Sequence, residues 1–88
     1  MKKIMSVIKP FILEQNVIVY EDGNKLDVIS CTINDMPEAM LQLAKQYDLN
    51  NIELAGPVSY LKGIQKQIQE LEMSTYSTNN IEIKLISE

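Results

Sequence analysis

Asp35-Met36-Pro37-Glu38-Ala39-Met40-Leu41-Gln42-Leu43-Ala44-Lys45-Gln46-Tyr47 is the stretch at which the pattern of the chain changes. Before it, apolar residues come in short β-branched runs. From Met36 onward, Met36, Ala39, Met40, Leu43, Ala44 and Tyr47 recur at the spacing of one buried helix face. Asp35 and Glu38 match a capping pattern, in which the Asp carboxylate accepts the exposed first-turn amides and Glu38 answers three residues on. Pro37 is tolerated there because first-turn amides have no helical partner. The spacing predicts a helix over 35–47, closed by Asn50-Asn51.

Upstream, Ile4 to Leu13, Val17 to Tyr20 and Leu26 to Ile33 read as three strands. Glu21-Asp22-Gly23-Asn24 is the clearest turn, since Asp-Gly supplies the positive φ angles of a tight hairpin. Pro10 cannot donate to a ladder and should end pairing or mark a bulge, which places the first hairpin turn at Glu14-Gln15-Asn16. Downstream, Ile52 to Ala55 is a short strand ending at Gly56-Pro57. A second helix runs from Val58 to Met73, with Leu61, Ile64, Ile68 and Leu71 on one stripe. Gly63 is unfavourable within it and is expected to be kept for close packing on the sheet. Ser74 to Asn80 is a polar loop. Ile81 to Ile86 is a last strand whose alternation sets its isoleucines on one face and Glu82 and Lys84 on the other.

The order of elements is therefore βββαβαβ, an α/β fold with a mixed five-stranded sheet and two helices in a single domain over 1–88. Right-handed crossovers make the last two strands parallel to the first; the strand order is expected to be 3-2-1-4-5, with the third and fifth strands at the edges. Asn50-Asn51-Ile52-Glu53-Leu54 is echoed by Asn79-Asn80-Ile81-Glu82-Ile83, too short an echo for a repeat array.

Composition works by exclusion. The 88 residues hold eight Lys, no Arg, twelve Asp and Glu and no His, for a net charge of −4. Without His there is no imidazole base and no His metal site, and one Cys forms neither an internal disulfide nor a Cys-rich zinc cluster. Without Arg, bidentate reading of phosphates and guanine edges is missing, so nucleic-acid binding is disfavoured. No apolar run reaches the roughly 18 residues of a membrane span, and no signal-peptide cleavage site follows Met1-Lys2-Lys3, so a cytoplasmic protein away from membranes is expected. Abundant Ile, Asn and Lys suggests an AT-rich bacterial or phage genome.

Three antiparallel strands followed by two helix-strand units resembles the minimal core of the ribonuclease H-like fold over the whole chain. The Leu54-Ala55-Gly56-Pro57-Val58 turn is similar to the strand-Gly-helix turn of the actin-like ATPase domains that share that core. The ribonuclease H-like resemblance implies carboxylates on the first strand, on the first helix and at the end of the fourth strand, holding two magnesium ions. The first strand offers Ser6 and Lys9 instead, the fourth ends in Ala55-Gly56, and only Glu38 and Glu53 lie near the remaining positions. The resemblance is one of fold, without the nuclease acids. Met1-Lys2-Lys3-Ile4, with Ile8-Lys9-Pro10-Phe11 and Leu13-Glu14, also resembles the opening of PII nitrogen-signalling proteins. That likeness stops at residue 14, with no counterpart of the family's long loop or Gly-rich ATP-binding turns, and is treated as coincidental.

Candidate chemistry is sparse. Cys31, between Ile29 and Ile33, reads as a packed core residue with no neighbour to activate it. Asp22-Gly23-Asn24 lacks the spaced acids of a calcium loop. Gly56, Val58 and Ser59, opening the second helix, could present an anion to backbone amides, although Pro57 removes one donor. Tyr60, Lys62 and Lys66 on the second helix are the candidate contact residues. Tyr20, Tyr47, Tyr60 and Tyr76 are scattered and form no stacking platform. No metal, cofactor or catalytic group is expected. The expectation is a non-catalytic domain that binds a protein partner or itself through a sheet edge or the second helix. Two alternatives stand beside it: a phage or mobile-element inhibitor of a nucleic-acid-processing enzyme, and a weak nucleotide or anion binder at the Gly56 turn.

Overall fold

A computed structural model describes residues 1–74 and 81–87, and the side chains within them except that of Ser74. The elements are β1 (Lys2–Val7), β2 (Gln15–Glu21), β3 (Asn24–Cys31), a single 3₁₀ turn (Ile33–Asp35), α1 (Met36–Tyr47), β4 (Asn51–Gly56), α2 (Val58–Ser74) and β5 (Glu82–Ser87). One mixed five-stranded sheet runs β3-β2-β1-β4-β5. β2 is antiparallel to β1 and β3, while β4 is parallel to β1 and β5 parallel to β4. Strand content, order and direction agree with the patterning read from the sequence.

Both helices cover the same face of the sheet. α1 lies over β1, β2 and β3, α2 over β4 and β5, and the helices touch each other. The covered face carries Ile4 and Ser6 from β1, Gln15, Val17 and Val19 from β2, and Ile52 and Leu54 from β4, all buried. Met36, Met40, Leu43, Leu61, Ile64 and Ile68 descend onto it from the helices, as their spacing predicts. Two polar side chains enter this layer with partners: Ser6 donates to the Asn16 carbonyl at 2.7 Å, and Gln15 is described below. The short axis of the molecule is 20 Å, room for one sheet and one layer of helices.

Several local expectations are corrected. The first strand ends at Val7 rather than Leu13, and the first turn is not Glu14-Gln15-Asn16: Gln15 and Asn16 already pair in β2 opposite Cys31 and Ser30. Asp35 is not the expected cap. It sits in helical conformation at the end of the 3₁₀ turn, and its carboxylate accepts from the Thr32 hydroxyl at 3.2 Å rather than from a first-turn amide. α1 stops at Tyr47, before Asn50-Asn51, because Asp48 turns left-handed (φ 54°) and the Leu49 amide reaches back to the Ala44 carbonyl at 2.8 Å. Ile33 leaves the third strand for the 3₁₀ turn, and Cys31 is half-buried at the strand's end rather than enclosed. In β5, Ile83 and Leu85 face the helices beside Ile52 and Leu54, but Ile86 faces the other way with Glu82 and Lys84. Of the loop expected over Ser74 to Asn80, Ser74 is the last residue of α2 and 75–80 lie outside the described residues.

Gly63 has nothing within 4 Å of where a Cβ would stand, so close packing does not explain it. Gly63→Ala is expected to stabilise the domain by about 0.7 kcal/mol through helix propensity and a less flexible unfolded chain. That is roughly a 4 °C rise in melting temperature, checked by thermal unfolding followed by circular dichroism.

Candidate functional site

Two helices on one side leave the other side of the sheet uncovered by any described element. Strand alternation and the register assign it Lys3, Met5 and Val7 of β1; Asn16, Ile18 and Tyr20 of β2; Lys25, Val28 and Ser30 of β3, either side of its bulge; Asn51, Glu53 and Ala55 of β4; and Glu82, Lys84 and Ile86 of β5. In a two-layer domain this is the face expected to be polar. Instead the register lines up two half-rows of apolar side chains that meet along β1. Val28 stands beside Ile18 and Ile18 beside Met5; two residues along β1, Val7 stands beside Ala55 and Ala55 beside Ile86. Val28, Val7 and Ile86 remain 46%, 43% and 37% exposed. A continuous apolar stripe therefore crosses all five strands.

The stripe is flanked, toward the N-terminal ends of β1, β4 and β5, by a hollow of about 1040 Å³ whose walls include Lys3, Tyr20, Glu53, Glu82 and Lys84. Lys3 Nζ lies 3.5 Å from Glu53, and Lys84 is the cross-strand neighbour of the same carboxylate. These charges neutralise one another locally. Among the described residues no three Asp, Glu or Cys groups converge as metal ligands, and no buried side-chain polar atom lacks a partner. The hollow offers surface and charge balance.

At the other end of β1, a second apolar feature is held in place by Gln15. Only 2% exposed, its side chain clamps the loop between β1 and β2. Nε2 donates to the carbonyls of Lys9 at 2.7 Å and Ile12 at 2.6 Å, and Oε1 accepts from the Lys9 amide at 2.9 Å. The clamped loop presents Phe11, Ile12 and Leu13 to solvent, with Phe11 fully exposed. Sequence reasoning missed this loop because it assigned Ile12 and Leu13 to a strand.

The residues singled out earlier lie elsewhere. Gly56 has φ +141° and is buried, and a Cβ there would stand 3.0 Å from the Ile8 carbonyl oxygen. Its glycine thus has a packing reason. Val58 and Ser59 are exposed at the first turn of α2, where Pro57 accepts from the Tyr60 and Leu61 amides at 3.1 Å. Tyr60, Lys62 and Lys66 are exposed along α2, on the layer opposite the stripe, so the structure does not gather them with it. Burial, then the Asp35 carboxylate, push the Cys31 thiol above its ordinary range, opposite to what a nucleophile needs.

The β3 edge is partly closed. Leu26 is an extra residue between the Val19–Asp27 and Tyr20–Lys25 pairs, a bulge on the edge strand itself. The Asp27 carboxylate then accepts the Val28 amide at 2.9 Å and the Tyr47 hydroxyl at 3.0 Å. That hydrogen bond holds the Tyr47 phenol protonated above its usual range, so its stabilisation is full below the ordinary tyrosine pKa and is lost as pH climbs through the raised value. A bulge and a charge are how proteins discourage pairing at an edge.

No helix among the described residues is long and apolar enough to cross a membrane. No family model matches the sequence, and no curated protein matches it significantly. Among solved structures, the chain is similar to a Bacteroides thetaiotaomicron VPI-5482 protein described as having an actin-like ATPase fold and unknown function. The TM-score is 0.63 at 17% identity, over 97% of this chain and 32% of that one. The chain thus spans about a third of the length of its neighbour. At this identity the likeness is one of fold, in line with the ribonuclease H-like order of elements, to which the actin-like fold is related.

Proposed function

We propose that this chain is a non-catalytic protein-interaction domain whose working surface is the uncovered face of its sheet. The observation that carries the proposal is the apolar stripe from Val28 to Ile86, which a domain working alone in water has no physical reason to keep on the side its helices leave open. Absent His, a thiol pushed away from reactivity and a Glu53 carboxylate already paired with Lys3 argue in the same direction. An inhibitor of a nucleic-acid-processing enzyme would call for an acidic face; this face instead sets Lys3, Lys25 and Lys84 against Glu53 and Glu82. The neighbour's actin-like ATPase description bears on nucleotide binding only through the Gly56 turn, where this chain has no glycine-rich loop and Pro57 takes away a donor.

The test is site-specific photo-crosslinking in the native host. A benzophenone side chain replacing Ile18 on the open face should give discrete protein adducts, and one replacing exposed Gln46 on α1 should not. Equal labelling from both positions, or none from Ile18, would overturn the proposal.

A further inference from the structure

We infer that the open sheet face is a two-fold interface, covered by the same face of a second copy of this chain. This rests on the interaction reading above and names its partner. The first ground is charge. The chain carries −4, which opposes self-association in general, yet the open face sets Lys3, Lys25 and Lys84 against Glu53 and Glu82, of mixed sign and one charge from neutral. A strongly acidic or basic partner finds no complement there, whereas a surface of mixed sign complements itself. The second ground is area. Five strands about 4.8 Å apart and six residues long at about 3.3 Å each make a face of roughly 24 by 20 Å, about 480 Å². Two such faces bury about 1,000 Å², the lower bound for a specific interface. The stripe reaches across all five strands. A second sheet laid face to face covers that whole width.

The third ground is that one of the two edge routes, at β3, is obstructed. Joining two copies edge to edge at β3 would have to displace Asp27 from the Val28 amide and flatten the bulge at Leu26. The face needs no such change. Because β1 is the central strand, a two-fold axis through the middle of the face brings Val7 or Met5 close to its own counterpart. An interface at the lower bound of size belongs with weak, reversible association.

The experiment uses the full chain. Sedimentation equilibrium between about 1 and 200 µM should show a reversible monomer–dimer transition, weakened at least about tenfold by the double substitution Val7→Lys and Ile86→Lys with an unchanged circular dichroism spectrum. In a Cys31→Ser background, Val7→Cys or Met5→Cys should form a disulfide-linked dimer on mild oxidation while Gln46→Cys stays monomeric, a readout that survives even if the lysine variant misfolds. A chain monomeric to about 200 µM overturns the inference. So does a dimer indifferent to the lysine pair that crosslinks through neither central position. If that monomer still gives an adduct with a different protein from Ile18, the interaction reading stands and the second copy falls; a monomer with no adduct removes both.

Discussion

Gly56→Ala is expected to cost about 3 to 4 kcal/mol, a large share of the stability of a domain this size. Two effects add. The backbone sits at φ +141°, a region that side-chain-bearing residues rarely enter, at about 1 to 3 kcal/mol. The new Cβ would also meet the Ile8 carbonyl oxygen at 3.0 Å and the Ile8 Cβ at 3.1 Å. Ile8 cannot retreat easily, since its side chain is buried in the core and its amide donates to the Ala55 carbonyl at 2.7 Å, so overpacking adds about 1 to 3 kcal/mol. The melting temperature should fall by roughly 15–20 °C. The comparison is made with and without excess inorganic phosphate. A contact between β1 and β4 predicts the same loss in both, whereas an anion site at this turn predicts a wild-type protein stabilised by phosphate and a variant that is not. A drop under about 1 kcal/mol would show that the two strands can part at this point.

Gln15→Leu should cost about 2 to 3 kcal/mol and release the loop it clamps. Leucine keeps most of the volume in the buried site but leaves the Lys9 amide and the Ile12 carbonyl without a partner, while the Lys9 carbonyl keeps the Ile12 amide at 3.1 Å. Each costs about 1 to 3 kcal/mol if it stays dry, and water reaching the loop returns part of that. The urea midpoint reports the stability, and amide exchange at Lys9 the release. Gln15→Glu separates the two halves of the clamp. Its carboxylate can still accept from Lys9 N–H but faces two carbonyl oxygens, so its folded pKa is raised. Stability of this variant should be higher below the ordinary glutamate pKa and fall as pH rises through the raised value. A Glu variant whose stability does not depend on pH, or a Leu variant with unaltered exchange at Lys9, would mean that the loop is held by something other than this side chain.

The parts of this fold legible in the sequence are those decided within a few residues. Asp22-Gly23 specifies its hairpin because only particular residues tolerate positive φ at both positions, and the structure has them at 52° and 83°. Met36 to Tyr47 and Leu61 to Ile68 specify helices with one buried face because a 3.6-residue period admits no other arrangement. With three strands and then two helix-strand units, the parallel pairs and the strand order follow from how such units connect. What the sequence left open depends on residues far apart in the chain. Asp35 has the right neighbours for a cap, but the route from β3 to α1 tightens into a 3₁₀ turn and turns its carboxylate to Thr32. Gly56 looks like a turn glycine until Ile8, 48 positions earlier, is seen pressed against it. Gln15 is an ordinary polar residue until β2 carries it into the core beneath a loop whose carbonyls need donors. Read as a strand, Ile81 to Ile86 is expected to set its isoleucines on one face; the register with β4 turns Ile86 away from Ile83. Which of those faces the helices cover was decided only when α1 and α2 packed on the same side, and that choice leaves Val7, Ile18, Val28 and Ile86 facing outward as a surface.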